Sequence, residues 1–454
     1  MAVRSMGVAV LLAALVGEAR RASPGGVAAS LAGLLLVAFL DGRNPLSLRN
    51  FFLVYTVGLF SIGVPLFGLP TRLYADMALY CLIFVAGYAA GSLSRPAPRP
   101  SDPAPTSPSG AWLRRAEELL ILLVGAQVLL LAFNVSHYGV GGFYSGQPLV
   151  DQLNTYGKAS VSGGLLQIVS FFLRYTTVAV VIVYVQQCLV KGVKLRYRYL
   201  ALLFVVLPIL SLQRSDAVHG AGILLVINAI ERRWSRRRAP AAAPVADSTA
   251  APVRPRARRG VAVGAAVIVA FLAALVIGGL RQGRLGQDDP SASLLAKSAP
   301  LLQSELTPVQ AYSQIKDNQV ILRRTHGSTV VWPLLLKVVP RGLFPAKPLN
   351  SAAYFMTTVR PAEFAAGYAV PPTLFGDAYI NFGLAGAVVA CLLVGVVAAR
   401  LDVAYKDVRL SRVPAFLIVY ASFYALLRSP LAESLAGILL TWAAWRLLRR
   451  PLSV

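Results

Sequence analysis

Acidic side chains, histidine and cysteine are all scarce in this 454-residue chain: 19 Asp and Glu, three His and three Cys, against 44 Lys and Arg. Cys81, Cys188 and Cys391 are widely spaced inside apolar runs, which excludes a disulfide framework or a cysteine metal site and reads as small packed residues. The histidines are far apart, and the doublet Asp288-Asp289 runs into Pro290 as in a turn, so no metal-ligand cluster is legible. A Walker lysine loop and a Rossmann glycine fingerprint are both missing, which argues against ATP-driven and nicotinamide chemistry, and no cofactor is expected. Charge of either sign is sparse as well, at 14% of residues, where a soluble domain carries roughly 25%.

What is abundant is bilayer-grade hydrophobe. With 56% hydrophobic residues and a mean hydropathy of +0.64, the chain reads as an all-α, polytopic integral membrane protein. Its formal charge of +25 would suggest nucleic acid in a soluble chain. Here the arginines fall in short clusters beside apolar spans, as in RRWSRRR (232–238), RPRARR (254–259) and RLLRR (446–450), so the partner is the lipid bilayer and not nucleic acid.

Apolar stretches near or above bilayer length fall at 6–17, 26–40, 50–68, 75–93, 116–134, 162–189, 198–212, 219–231, 260–280, 374–399, 414–427 and 433–447, giving about twelve helices. A cytoplasmic N-terminus puts the basic segments 41–49, 94–115, 190–199, 231–260, 400–412 and 446–450 inside, with Arg20 and Arg21 the exception. The stretch 6–17 resembles a signal peptide; it is short for a span, and lies on the membrane in an alternative topology. The cytoplasmic linkers 94–115 and 231–260 contain Pro-, Ser- and Ala-rich stretches that can bury no core. No internal repeat is visible, which weakens a secondary-transporter reading. Three regions result: 1–280 with about nine helices, a partly helical extracytoplasmic segment 281–373, and 374–454 with about three helices.

The extracytoplasmic segment carries ten cations: Arg281, Arg284, Lys297, Lys316, Arg323, Arg324, Lys337, Arg341, Lys347 and Arg360. On a face where the positive-inside rule makes cations sparse, they point either to an anionic ligand or to lipid headgroups. Guanidinium forks and a mobile ammonium together suit a diphosphate. Pro340, Pro345 and Pro348 restrain the backbone around Arg341 and Lys347. Asp377, beside Thr373, Tyr379 and Asn381, lies about one turn inside the next span, where an ionisable group either serves function or complements the helix dipole. The link LSLQRSDAVHGAG (210–222) offers Arg214, which either pairs with Asp216 or contacts phosphate. His326, in RRTHGST (323–329), competes with Asp377 and Glu363 for the role of general base or is a turn residue. STVVWPLLLKVV (328–339) is apolar enough to lie in the membrane interface. The loop 137–157 mixes aromatics with Gly, Asn and Gln, as sugar-stacking surfaces do.

THGSTVVWPLLLKVVPRGLFPAKP, followed after a gap by PPTLFGDAYINFGLAGAVV, resembles the C-terminal half of bacterial oligosaccharide repeat-unit polymerases of the Wzy type. Pro340, Arg341, Pro345, Lys347 and Pro348 match a Pro-Arg-x-x-x-Pro-x-Lys-Pro motif; Gly376, Tyr379, Asn381, Phe382 and Gly383 match a Gly-Glu-x-Tyr-x-Asn-Phe-Gly motif, with Asp377 in place of Glu. The resemblance covers 281–400 well and 198–230 loosely. It implies a GT-C-like membrane glycosyltransferase in the bacterial cytoplasmic membrane, active on the extracytoplasmic face without a metal. The implied substrates are undecaprenyl-diphosphate-linked oligosaccharides, one transferred onto another to build O-antigen, capsule or exopolysaccharide, with a chain-length regulator and a flippase as partners. Under that resemblance Arg341 and Lys347 hold the donor diphosphate with Arg214, Arg281, Arg284, Arg324 and Arg360, Tyr379 and Asn381 contact glycan, and Asp377 or His326 takes the acceptor proton. An O-antigen ligase using the same donor, and a lipid-linked glycan flippase, are the competing readings.

Overall fold

The computed structural model describes residues 40, 44, 46–94, 110–144, 161–210, 214–238, 294–337, 339, 343–344, 346–365, 370–407 and 411–449. Every regular element among them is helical. In chain order these are α1 (Leu48–Leu66), α2 (Leu73–Leu93), α3 (Gly110–Tyr144) and α4 (Val161–Lys191). A composite α5 follows, made of Tyr197–Ala201, a π-helical turn Leu202–Val206 and Leu207–Leu210, and then α6 (Arg214–Arg238). The remainder are α7 (Leu294–Asp317), α8 (Ser328–Leu335), α9 (Ser351–Val359), α10 (Pro361–Ala365), α11 (Thr373–Asp407), α12 (Val413–Arg428) and α13 (Leu431–Arg449).

Six helices in the described residues are long and apolar enough to cross a bilayer: α1, α2, α3, α4, α11 and α13; α12 and the first part of α5 are shorter apolar helices. Helices are the expected solution, because hydrocarbon offers the backbone no hydrogen-bond partner. The chain is thus a multi-pass, all-α membrane protein. Of the twelve stretches read from the sequence, 6–17, 26–40 and 260–280 lie outside the described residues, as do most of both linkers. α3 leans on α4 and α5 and leaves Ile121, Leu122, Leu129 and Phe133 exposed, the surface of a helix that faces lipid.

At one end of the bundle the structure gathers residues from five of the six basic segments or their borders. Arg233 donates to Tyr405 O (2.8 Å) and Asn44 Oδ1 (2.9 Å), with its guanidinium 4.1 Å over the Tyr405 ring. Arg196 pairs with Glu117 at 3.4 Å, and Glu231 accepts from Leu195 N and Tyr197 Oη. Asp402, fully buried, accepts from Leu48 N (2.8 Å), Arg49 N (3.3 Å) and Tyr88 Oη (3.1 Å), so its carboxylate caps the N-terminus of α1, where the helix dipole favours negative charge. Segments separated by hundreds of residues therefore share one face, as the charge pattern requires.

The most extensive helix pair is α2 against α11. It is built on Gly87 and Gly91, a GxxxG spacing, facing Gly395 and Ala399. A β-carbon on Gly91 would fall 2.7 Å from Val396 O, and one on Gly395 2.9 Å from Tyr88 N. The backbones touch, which is how helices gain packing energy in lipid. We expect Gly91→Leu to cost about 1–3 kcal/mol by overpacking, read as a lowered unfolding midpoint in detergent. Phe375, at the start of α11, stacks on Tyr80 (4.7 Å between centroids) and meets Phe52 and Phe60 edge-on, which seats the entry of α11 against α1 and α2.

Candidate functional site

The opposite end of the bundle is built by α7 to α10, the entry of α11 and the turn between α12 and α13. α7 is fastened to α2 by a buried polar network. Lys316 Nζ lies 2.6 Å from Asp76 Oδ2, Tyr312 Oη donates to the same oxygen at 3.2 Å, and the Tyr80 and Tyr312 hydroxyls are 2.6 Å apart. Burial pushes the Tyr312 phenol's pKa up, with Tyr80 and Asp76 adding to the effect, so it remains a donor. Arg72 and Asp317 pair at the rim. This network was missed in the sequence, although Asp76, an acid in the first turn of an apolar span, carried the same signal as Asp377.

α11 is not one continuous helix. Gly383 breaks it with φ 68° and ψ −158°, separating a short entry piece from the long span. The carbonyls orphaned at the break are taken by a remote segment: Thr325 N donates to Ile380 O (3.2 Å) and His326 N to Asn381 O (3.1 Å). The sequence read 374–399 as a single span, because Phe-Gly-Leu leaves no gap in hydropathy.

Asn381 is the hub of the junction. Its Oδ1 accepts from the hydroxyls of Thr325 (2.8 Å) and Thr329 (3.0 Å), and its Nδ2 donates to Asp377 O (2.8 Å) and Oδ1 (2.9 Å). The other oxygen of Asp377 accepts from Leu431 N, the first residue of α13, at 2.6 Å. Four segments, the 323–327 loop, α8, α11 and α13, are joined through two buried side chains. Asp377 is fully buried with both oxygens engaged, the geometry of a residue that positions others. Strain marks the same place: Thr373, β-branched and buried, has φ 66°, and His326 has φ 48°, conformations costing about 1–3 kcal/mol each that persist where the surroundings enforce them.

The structure brings some of the sequence-predicted residues together and not others. Asp377, Asn381, His326 and Arg324 converge on the junction. Arg324 lies against the break: a β-carbon on Gly383 would sit 3.1 Å from its Nη2, so the glycine serves both its positive φ and the guanidinium's approach. Arg323, Arg324 and His326 are exposed, and none makes a side-chain hydrogen bond or ion pair with the described residues. Arg360, by contrast, is committed to Gln314 Oε1 (2.6 Å) and Glu363 (3.0 Å), and Lys347 donates to Val339 O at 3.0 Å, closing its own loop. Lys316 is held by Asp76 and Lys337 by Glu433 (3.4 Å). Tyr379 accepts from Gln319 at 2.7 Å and meets the Tyr312 ring edge-on, one step from the junction. Arg281, Arg284 and Arg341 lie outside the described residues, as does most of the aromatic loop 137–157; Arg214 starts α6, its side chain outside the description.

No family model, curated protein or solved structure matches this chain. Chemically, the junction offers two guanidiniums with no side-chain partner among the described residues, suited to a phosphate dianion, and a neighbouring imidazole, on a loop held by the buried Asn381.

Proposed function

We propose that this chain is a membrane glycosyltransferase that joins undecaprenyl-diphosphate-linked oligosaccharides, in the manner of the Wzy-type polymerases its sequence resembles. The observation that carries the reading is the junction. Two segments about fifty residues apart in the sequence, both within the resemblance, lock together through Asn381 and leave Arg323, Arg324 and His326 without a side-chain partner among the described residues, at the end of the bundle away from the arginine-rich one. The positive-inside rule makes that end extracytoplasmic.

In this reading Arg324, with Arg323 and the motif cation Arg341, holds the donor diphosphate. The bond from the anomeric carbon to the phosphate oxygen breaks and a bond from that carbon to an acceptor hydroxyl forms. Negative charge builds on the departing undecaprenyl diphosphate, and fixed guanidiniums offset it. His326 takes the acceptor proton. Asp377 and Asn381 hold the loop that carries both.

Purified protein supplied with synthetic undecaprenyl-diphosphate repeat units is expected to make a ladder of polymer that survives EDTA. His326→Ala is expected to slow it by about 10²–10⁴-fold, the usual contribution of a general base. Failure of well-folded wild type to make any ladder would overturn the reading; a single transfer onto a lipid A core acceptor would make it a ligase.

A further inference from the structure

α8 has two faces with opposite demands. Thr329 and Pro333 are buried, Thr329 holding Asn381, while Ser328, Val331, Trp332 and Leu335 recur at the spacing of one helical stripe and are exposed, the last three at 50%, 51% and 63%. Three large apolar side chains turned outward on eight residues need a cover. Three features of the structure say what it is.

The first is depth. From Leu384 to the exposed Arg400, α11 rises about 24 Å, close to the roughly 30 Å hydrocarbon thickness of a bilayer. The break at Gly383 therefore lies at the boundary opposite Arg400. The second is continuity. Phe382, 51% exposed, directly precedes the break, and its Cζ is 3.2 Å from where a β-carbon on Gly327, the N-cap of α8, would stand. α8 thus begins at the depth of the break, the level from which Leu384, Val389 and Leu393 are exposed along α11. The third is chemistry: Arg323, exposed and with no side-chain partner among the described residues, lies in the loop that leads into α8 and Trp332 stands on the helix's outer face, the residue types that settle at lipid headgroups.

We propose that α8 is an in-plane interfacial helix, its Val331–Trp332–Leu335 stripe embedded at the boundary of headgroups and acyl chains. The bilayer then sets the depth of the Thr325–Asn381 junction, and Arg324 is held at the level of the phosphates. This placement rests on the membrane-spanning α11 and not on the transferase reading, so each can fail without the other.

The test is collision accessibility of a nitroxide label in the full chain reconstituted in phosphatidylcholine–phosphatidylglycerol vesicles. The native cysteines Cys81, Cys188 and Cys391 are all buried and do not compete for label. Single variants Val331→Cys, Trp332→Cys and Leu335→Cys change exposed positions, and any one that folds reports. At each, collisions with oxygen are expected to exceed those with a water-soluble nickel chelate several-fold, at a depth of about 5–10 Å. Glu363→Cys, exposed on α10, is the aqueous reference and is expected to show the reverse order. Nickel accessibility at the stripe equal to that at 363 would overturn the proposal by showing water. Low collision with both reagents would overturn it by showing a protein partner or a second copy over the face.

Discussion

Arg324→Ala is expected to lower the rate of polymer formation by about 10²–10³-fold, the cost of removing one fixed donor from developing charge, while the unfolding midpoint in detergent stays where it is. The two halves of that expectation come from the same observation. Arg324 is exposed and has no acceptor among the described residues, so truncating it breaks no hydrogen bond or ion pair with them and removes only the guanidinium's packing against Gly383, and surface changes of this kind stay within about 0.5 kcal/mol. Arg324→Lys keeps the charge and loses the planar fork, and is expected to recover only part of the rate. Arg360→Ala is the counterpart. Its guanidinium is already divided between Gln314 and Glu363, so it is expected to loosen the contact of α7 with α10 and to lower stability before it lowers turnover. Initial rates on labelled lipid-linked repeat units, paired with thermal unfolding of the same preparations, separate the two.

The second large effect lies in the buried half of the junction. Asn381→Ala removes four hydrogen bonds and leaves the hydroxyls of Thr325 and Thr329 and one oxygen of Asp377 without their partner. Three groups at about 1–3 kcal/mol each set an upper range of about 3–9 kcal/mol, and the 3.4 Å contact between the two threonine hydroxyls brings the expected cost to the lower part of it. Asp377→Asn keeps the shape but turns an amide nitrogen toward a donor, at either Asn381 Nδ2 or Leu431 N, and is expected to cost about 2–4 kcal/mol. In both variants activity and unfolding midpoint fall together, and the 318–327 loop becomes sensitive to proteolysis. A catalytic base at 377 behaves differently: its amide variant loses turnover at an unchanged midpoint. The pair of measurements therefore separates positioning from proton transfer at this residue.

The helices were legible in the sequence because burial in lipid needs long apolar runs, and α1, α2, α4, α11, α12 and α13 follow the runs read there. The meeting at one end of the bundle of residues from five of the six basic segments or their borders also agrees with the charge pattern. The break at Gly383 was not. Hydropathy is continuous across it, and its cause lies in the amides of Thr325 and His326, more than fifty residues upstream. Which cations lack a partner among the described residues was equally hidden: Arg324 and Arg360 look alike in sequence, and the difference is made by Gln314 and Glu363, which bond to Arg360. Asp76 was overlooked for the same reason in reverse, since its partner Lys316 is 240 residues away. Asn381 stood out as part of a motif, but its role as a hub needs the hydroxyls of α8 and its entry loop, which a linear reading leaves outside the span.

Photo-crosslinking at position 326 bears most directly on the place of the substrate. A benzoyl-phenylalanine introduced for His326 in membranes is expected to capture a labelled undecaprenyl-diphosphate oligosaccharide, with capture suppressed by unlabelled undecaprenyl diphosphate and weakened by Arg324→Ala. The same group introduced for Glu363, exposed on the same end of the bundle, is expected to capture none. Equal labelling at both positions, or labelling at 326 that neither competitor nor Arg324→Ala reduces, would contradict a substrate site at the Thr325–Asn381 junction.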